Sequence, residues 1–251
     1  MFIYTHCHLS KDYYNDIDTV IKENRKNNVN KIIVSACDME SIPEAIELSK
    51  KYDDIYLTIG FHPDCVDKIN DDDILYLENI IKNNNKIVGI GEIGLDYYYV
   101  QDNKNSQIEL FNKQLKLAER LGLPVVIHSR EATKDTIDTL SKYQLSGVIH
   151  CFSGSIETAN IYVKMGYKIG IGGVVTFKNS NLFKVVEAIG IKNIVLETDS
   201  PYLTPVPFRG KQNSSKYIPY VAEKISEILS LDVCDVAEIT TNNAVELFDL
   251  K

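Results

Sequence analysis

His6 and His8 flank one cysteine in Thr5-His6-Cys7-His8-Leu9, close to the start of the chain. Alternate side chains of a β-strand share a face, so the two imidazoles can grip one cation while Cys7 points away. Two histidines so spaced are also ordinary at a strand end, and a metal site needs further ligands. Candidates follow in order: His62 in Gly60-Phe61-His62-Pro63, Glu92 in Gly89-Ile90-Gly91-Glu92, His128 closing Val125-Val126-Ile127-His128, His150 after Val148-Ile149, and Asp199 closing Val195-Leu196-Glu197-Thr198-Asp199. Glu92 has two oxygens with which to bridge a pair of cations, which one imidazole cannot match. Asp199 is acceptor-only when ionised and can take a proton from water held within ~3 Å. Taken singly, each residue has a plainer reading. A histidine after an apolar run is often a hydrogen-bonded core or rim residue, Glu92 could be a rim carboxylate, and Asp199-Ser200-Pro201 reads as a turn or cap.

Whether these residues meet depends on the elements that carry them. Short apolar, β-branched runs recur at 2–5, 31–36, 55–60, 87–92, 124–128, 147–151, 167–172 and 193–199. Stretches with helical spacing lie between them near 17–27, 41–52, 72–83, 106–121, 131–143, 156–165 and 181–189, and two more follow near 215–229 and 235–248. The intervals suit a strand, a crossover helix and loops, and eight such units fit a single-domain α/β fold, the (β/α)8 TIM barrel. A doubly wound open sheet is the structural alternative, because periodicity does not show closure. In a barrel the C-terminal strand ends, where all five histidines fall, meet at one face.

At 251 residues the chain has the length of one such barrel, and no Pro/Gly/Ser-rich linker divides it. Hydrophobic residues at 44% and charged residues at 25% exclude a disordered protein. Five scattered cysteines without a CxxC pair indicate free thiols in a reducing compartment, so a cytoplasmic protein is expected. No apolar run reaches the ~18 residues of a membrane span. The net charge of −8 argues against an indiscriminate nucleic-acid binder, but bound cations can reverse the field locally.

Arg130 and Arg209 lie just beyond ligand-bearing strands, where a guanidinium could clamp a phosphate or form a surface salt bridge. Tyr97, Tyr98 and Tyr99 follow the fourth strand and could stack on bases, although adjacent side chains cannot all face one way. Lys178 and Lys211 are backbone-contact candidates, with simple solvation as the alternative. Cys7 and Cys151 adjoin ligands but read as small core residues, and Glu197 as a partner to a ligand histidine or part of the barrel interior.

Thr5-His6-Cys7-His8-Leu9, Gly60-Phe61-His62-Pro63, Gly91-Glu92-Ile93-Gly94-Leu95-Asp96-Tyr97, Pro124-Val125-Val126-Ile127-His128-Ser129-Arg130, His150-Cys151-Phe152-Ser153-Gly154 and Glu197-Thr198-Asp199-Ser200-Pro201 resemble, in order, the motifs of the TatD family of metal-dependent deoxyribonucleases, one of the amidohydrolase-type barrels. The resemblance implies that His6 and His8 hold one divalent cation, His128 and His150 a second, and that Glu92 bridges them. Asp199 would be both a ligand and the acceptor of the water's proton, and His62 would lie at the substrate phosphate, so that Asp199, Glu92 and His62 form the catalytic set. Substrate contacts are expected from His62, Arg130, Arg209, Tyr97 and Lys178. The implied activity is hydrolysis of DNA, single strands included, from the 3′ end (3′–5′), by a monomer using two cations. Four histidines and two carboxylates suit zinc or manganese better than magnesium, which the resemblance leaves open. Tyr4 stands where the family commonly has an acid, and Gln212 where it often has a base; both bear on substrate grip. The alternatives are a barrel acting on another ester or amide, including aminoacyl-tRNA, and a non-catalytic metal or nucleic-acid binding barrel.

Overall fold

Eight parallel strands pair in sequence order, with each strand hydrogen-bonded to the next. They are β1 (Phe2–Cys7), β2 (Val29–Ala36), β3 (Ile55–Ile59), β4 (Ile87–Asp96), β5 (Val125–Arg130), β6 (Gly147–Ile149), β7 (Tyr167–Ile171) and β8 (Ile194–Leu196). The computed structural model describes residues 1–98 and 102–251. Closure comes through the segment after β8: Cys7 bridges Ser200, the His8 N–H donates to the Ser200 carbonyl at 2.9 Å, and the Asp199 N–H donates to the His6 carbonyl at 3.3 Å. The result is the nearly closed (β/α)8 barrel expected from the strand series.

Around it run α1 (Ile17–Lys26), α2 (Ser41–Lys51), α3 (Asp71–Lys82), α4 (Lys104–Leu121), α5 (Thr133–Leu140), α6 (Ile156–Lys164), α7 (Leu182–Ile189), α8 (Ile218–Leu229) and α9 (Val233–Phe248). Their inner faces follow the helical period. In α1 the buried residues are Ile17, Val20, Ile21 and Asn24, and the Asp16 carboxylate caps the first turn through the Thr19 N–H at 3.0 Å. Covered by these helices outside and by packed side chains inside, β1 and β4 are buried along their whole length.

The barrel interior is layered. Ile3, Ile33, Tyr56, Val88, Val126, Val148 and Val195 form an apolar floor, sealed from below by Ala244 and Phe248 of α9 and by Leu250. Two residues further along the same faces stand His128 after Val126, His150 after Val148 and Glu197 after Val195. The alternation that builds the floor therefore builds the site above it. Phe248, only 2% exposed, is the large plug of that floor. Phe248→Ala should lower unfolding free energy by about 3–5 kcal/mol in chemical denaturation; a loss below about 1 kcal/mol would show that α9 does not seal the barrel.

Only β2 ends where expected: β1 and β5 run two residues further, to Cys7 and Arg130, β3 and β7 stop one residue short, and the shifts in β4, β6 and β8 each have a reason visible in the pairing or the backbone. β4 does not stop at Glu92; its partners in β5 run through His128, Ser129 and Arg130, carrying it to Asp96. β6 ends at Ile149 because Cys151 turns into the left-handed region at φ 46°. β8 ends at Leu196, the partner of the last residue of β7, so Asp199 lies beyond the strand and also has a left-handed backbone, at φ 52°. Aspartate tolerates that conformation better than most residues.

Candidate metal centre

Glu92 is the centre of the site. Its carboxylate is almost fully buried, and its two oxygens face different histidines. Oε2 lies 3.3 Å from His6 Nε2 and 3.6 Å from His8 Nε2; Oε1 lies 2.7 Å from His128 Nδ1 and 2.8 Å from His150 Nε2. Backbone irregularity aims these groups. Between Tyr4 and Cys7, β1 advances three residues while β2 advances two, and β4 does the same against β5 between Ile90 and Ile93. Such bulges redirect side chains beside active sites.

Asp199 completes the arrangement from the loop after β8, with Oδ1 3.8 Å from His6 Nε2 and 3.7 Å from His8 Nε2. The sets His6–His8–Glu92, Glu92–His128–His150 and His6–His150–Asp199 each bring one donor atom per residue within 4.8 Å of the others. Ligands at 2.0–2.2 Å from a tetrahedral ion lie about 3.4 Å apart, so these spacings fit divalent cations. The donor chemistry fits too. Both His6 nitrogens and His150 Nδ1 are buried without a hydrogen-bond partner, an arrangement that costs about 1–3 kcal/mol per group unless a further partner is supplied.

The electrostatics reflect buried carboxylates among imidazoles, with Glu92 at the centre. Burial acts to raise the Glu92 carboxyl, but His150 and His6 outweigh it and hold it well below the usual carboxylate range. Burial and the neighbouring His150 push His6 down to about 4. On His150 burial also opposes charge, yet Glu92, Glu197 and Asp199 lift it to about 10. Burial raises Glu197 to about 7. Its Oε1 accepts from the Cys151 N–H at 2.5 Å and stands 3.9 Å from His150 Nδ1, near that ring but not hydrogen-bonded to it. Gly170 makes room for it: a Cβ there would lie 2.3 Å from Glu197 Oε2.

Asp96 carries no site role in the sequence reading. Its Oδ2 sits 3.0 Å from His128 Nε2, while Oδ1 accepts from the Tyr98 N–H at 2.8 Å. Gln107 pins its backbone, accepting from the Asp96 N–H and donating to the Asp96 carbonyl, both at 2.9 Å. A carboxylate that takes the N–H of one ring nitrogen leaves the lone pair of the other for a cation, so Asp96 sets the His128 tautomer. The available signal was its position four residues after Glu92, on the same face of a continuing strand.

His62 opens the loop after β3. Its Nδ1 accepts from the Asp64 N–H at 3.2 Å and lies 3.3 Å from Asp64 Oδ2, and its Nε2 is 3.8 Å from Glu92 Oε1. With Nδ1 accepting that amide N–H, Nε2 is the ring nitrogen available to carry a proton on the side of the cluster.

The expected substrate contacts are placed less uniformly. Tyr97 is a correction: it is 5% exposed, its hydroxyl donates to Asp135 Oδ2 at 2.9 Å, and it has no free face for a base. Strand alternation explains this, since with Asp96 facing inward Tyr97 must face the helices. Tyr98 is 50% exposed instead, with the Arg130 guanidinium 3.8 Å from its ring centre; Tyr99 lies outside the described residues. Arg209 lies 3.8 Å from the Phe177 ring centre, and Lys178 is exposed on the loop after β7. Tyr4 is buried and its hydroxyl pairs with Ser215 Oγ at 2.5 Å, so it packs between barrel and α8 rather than joining the cluster. A surface groove of about 1130 Å³ opens at the opposite end of the barrel, between Asp53, the 83–86 turn and Leu121, with no histidine in its lining.

Comparison with known proteins bears on the family and the fold. The family model described as TatD related DNase matches residues 3–249. A protein of Bacillus subtilis, YabD, named an uncharacterized metal-dependent hydrolase, is 40% identical over 254 residues, covering 99% of each chain. The crystal structure of YjjV, a TatD homolog from Escherichia coli K12, superimposes with a TM-score of 0.93 at 31% identity over 100% of this chain and 98% of that one. A TatD family hydrolase from Entamoeba histolytica gives a TM-score of 0.87 at 25% identity, covering 98% and 97%. With the family match spanning nearly the whole barrel, the chain belongs to the TatD-related DNase family of metal-dependent hydrolases.

Proposed function

We propose that this protein is a deoxyribonuclease that hydrolyses phosphodiester bonds with water activated at two divalent cations, working from the 3′ end of a strand. The observation that carries the reading is the division of Glu92, with Oε2 turned to His6 and His8 and Oε1 to His128 and His150. These residues would hold the two cations, and the imidazole-rich set suits Zn²⁺ or Mn²⁺ better than Mg²⁺. When bound, such ions lower the pKa of water from 15.7 towards about 7 and offset charge on phosphoryl oxygens. Asp199, with its side chain 16% exposed at the cluster, accepts the proton of the attacking water. The Nε2–H of His62 donates to a phosphate oxygen, and Asp96 keeps His128 in register. Arg130, Arg209 and Lys178 draw the neighbouring phosphates, and Tyr98 replaces Tyr97 as the stacking ring. We expect a monomer, and five free cysteines accord with a cytoplasmic, reducing setting.

The test is to strip the protein with a chelator, resupply Zn²⁺, Mn²⁺ or Mg²⁺ in turn, and digest an end-labelled single-stranded oligonucleotide. Activity should return with metal and yield a ladder shortened from the 3′ end. No cleavage with any of the three ions, alongside hydrolysis of another ester or of charged tRNA, would move the protein to a different substrate class.

A further inference from the structure

A cavity of about 140 Å³ adjoins the metal-type cluster and shares His8 with it. It lies between the loop after β1 and the loop from β2 into α2. A cavity of about 150 Å³ takes one benzene ring, so this space matches a single pyrimidine-sized ring. Tyr13 forms one wall. Its ring, 40% exposed, meets that of Tyr202, 50% exposed, edge to face at 6.0 Å, and their hydroxyls are 3.1 Å apart. Gln212 Nε2 donates to the Tyr13 carbonyl at 2.5 Å, and the Tyr202 N–H donates to the Asp199 carbonyl at 2.8 Å. The exposed pair is thereby tied to the two loops that carry His8 and Asp199, and a stacked base would cover it.

The polar lining is one-sided. Asp38, Glu40 and Glu44 border the cavity, as does Ser10, whose hydroxyl is buried without a partner. Backbone N–H groups at a helix start would normally attract a phosphate. Here they are occupied, because Asp38 Oδ1 accepts from Glu40 N–H at 2.9 Å and Ser41 N–H at 2.6 Å. Glu44 Oε1 accepts from the Lys11 N–H at 2.9 Å, which orients the carboxylate and leaves Oε2 without a hydrogen-bond partner among the described residues. Such a cavity repels phosphate and favours a neutral ring bearing N–H donors. Of the DNA pyrimidines, cytosine presents two N–H donors from its C4 amine, whereas thymine presents one, at N3, between two carbonyls.

Resting on the deoxyribonuclease reading, we infer that this cavity is a base subsite for a terminal cytosine, with Tyr13 as its stacking wall and Glu44 as acceptor for the exocyclic amine. Oligonucleotides identical except for a terminal cytosine, thymine or abasic residue test it. In the wild-type metal-loaded protein, kcat/KM should favour cytosine over thymine by roughly tenfold. Glu44→Gln keeps an oxygen for Lys11 and places an amide donor where the free oxygen was, so the preference should vanish or turn towards thymine. Tyr13→Ala should lower kcat/KM on the cytosine end by roughly tenfold and converge with the wild type on the abasic end.

A second arm measures Kd for labelled oligonucleotides with Asp199→Asn protein, where cleavage is suppressed; cytosine ends should bind more tightly than thymine ends. Equal kcat/KM on all three ends, or a cytosine preference that survives both variants, overturns the subsite. Cytosine-selective binding without cleavage by the wild type would fail the deoxyribonuclease reading alone. Neither binding selectivity nor cleavage would fail both.

Discussion

Asp199→Asn should lower kcat on a single-stranded oligonucleotide by roughly 10²–10⁴-fold while leaving the far-ultraviolet circular dichroism unchanged. The substitution is conservative in shape. Asn and Asp are the non-glycine residues best suited to left-handed backbone, and residue 199 has φ 52°. The two N–H groups that fix the turn, Asp199 to the His6 carbonyl and Tyr202 to the Asp199 carbonyl, belong to the main chain and remain. What the amide loses is the capacity to take a proton. Because Oδ1 also lies 3.8 Å from His6 Nε2 and 3.7 Å from His8 Nε2, bound metal should be counted in the same preparation. Lost turnover with metal retained assigns the proton to Asp199. Lost turnover with lost metal would reduce it to a ligand, and near-normal turnover would remove it from the chemistry.

The helices were legible because burial follows their period: Ile17, Val20 and Ile21 on α1, or Val185, Val186 and Ile189 on α7, are spaced as a one-sided apolar face requires. The strand starts were equally clear, since runs such as Val125-Val126-Ile127 are buried on both sides. The strand ends were not. Apolarity stops where side chains begin to face the site, but hydrogen bonding to a neighbour can continue, as β4 does from Glu92 to Asp96 beside β5. Ending β4 at Glu92 hid Asp96 and made the rotation of Tyr97 uncertain. The six metal-type residues were legible for the complementary reason: a histidine or carboxylate among β-branched residues is conspicuous. Phosphate and base contacts lie in loops, and loop conformation depends on distant partners such as Asn213, whose Nδ2 donates to the Thr198 carbonyl at 2.8 Å and the Tyr202 carbonyl at 2.5 Å.

Glu92→Gln is the sharpest test of a shared carboxylate, because it changes one oxygen and little volume. The amide can present oxygen to one histidine pair but must turn its NH₂ to the other, and an N–H donor cannot ligate a cation. Thermal unfolding reads this without any assay of activity. A site filled at one hundred times its Kd stabilises the folded chain by about 2.7 kcal/mol. For a chain of this size, that corresponds to a rise in Tm of about 5–10 °C per site. Adding Zn²⁺ or Mn²⁺ to stripped wild-type protein should therefore produce a shift consistent with two sites, and direct metal analysis should count two ions per chain. In Glu92→Gln the shift should fall by at least half and the count to one or fewer. The variant should also differ from His8→Ala, where Oε1 still faces His128 and His150 and the second pair keeps its carboxylate. If Glu92→Gln retains the full shift and both ions, the two histidine pairs do not depend on a common carboxylate, and its place between them has no part in holding metal.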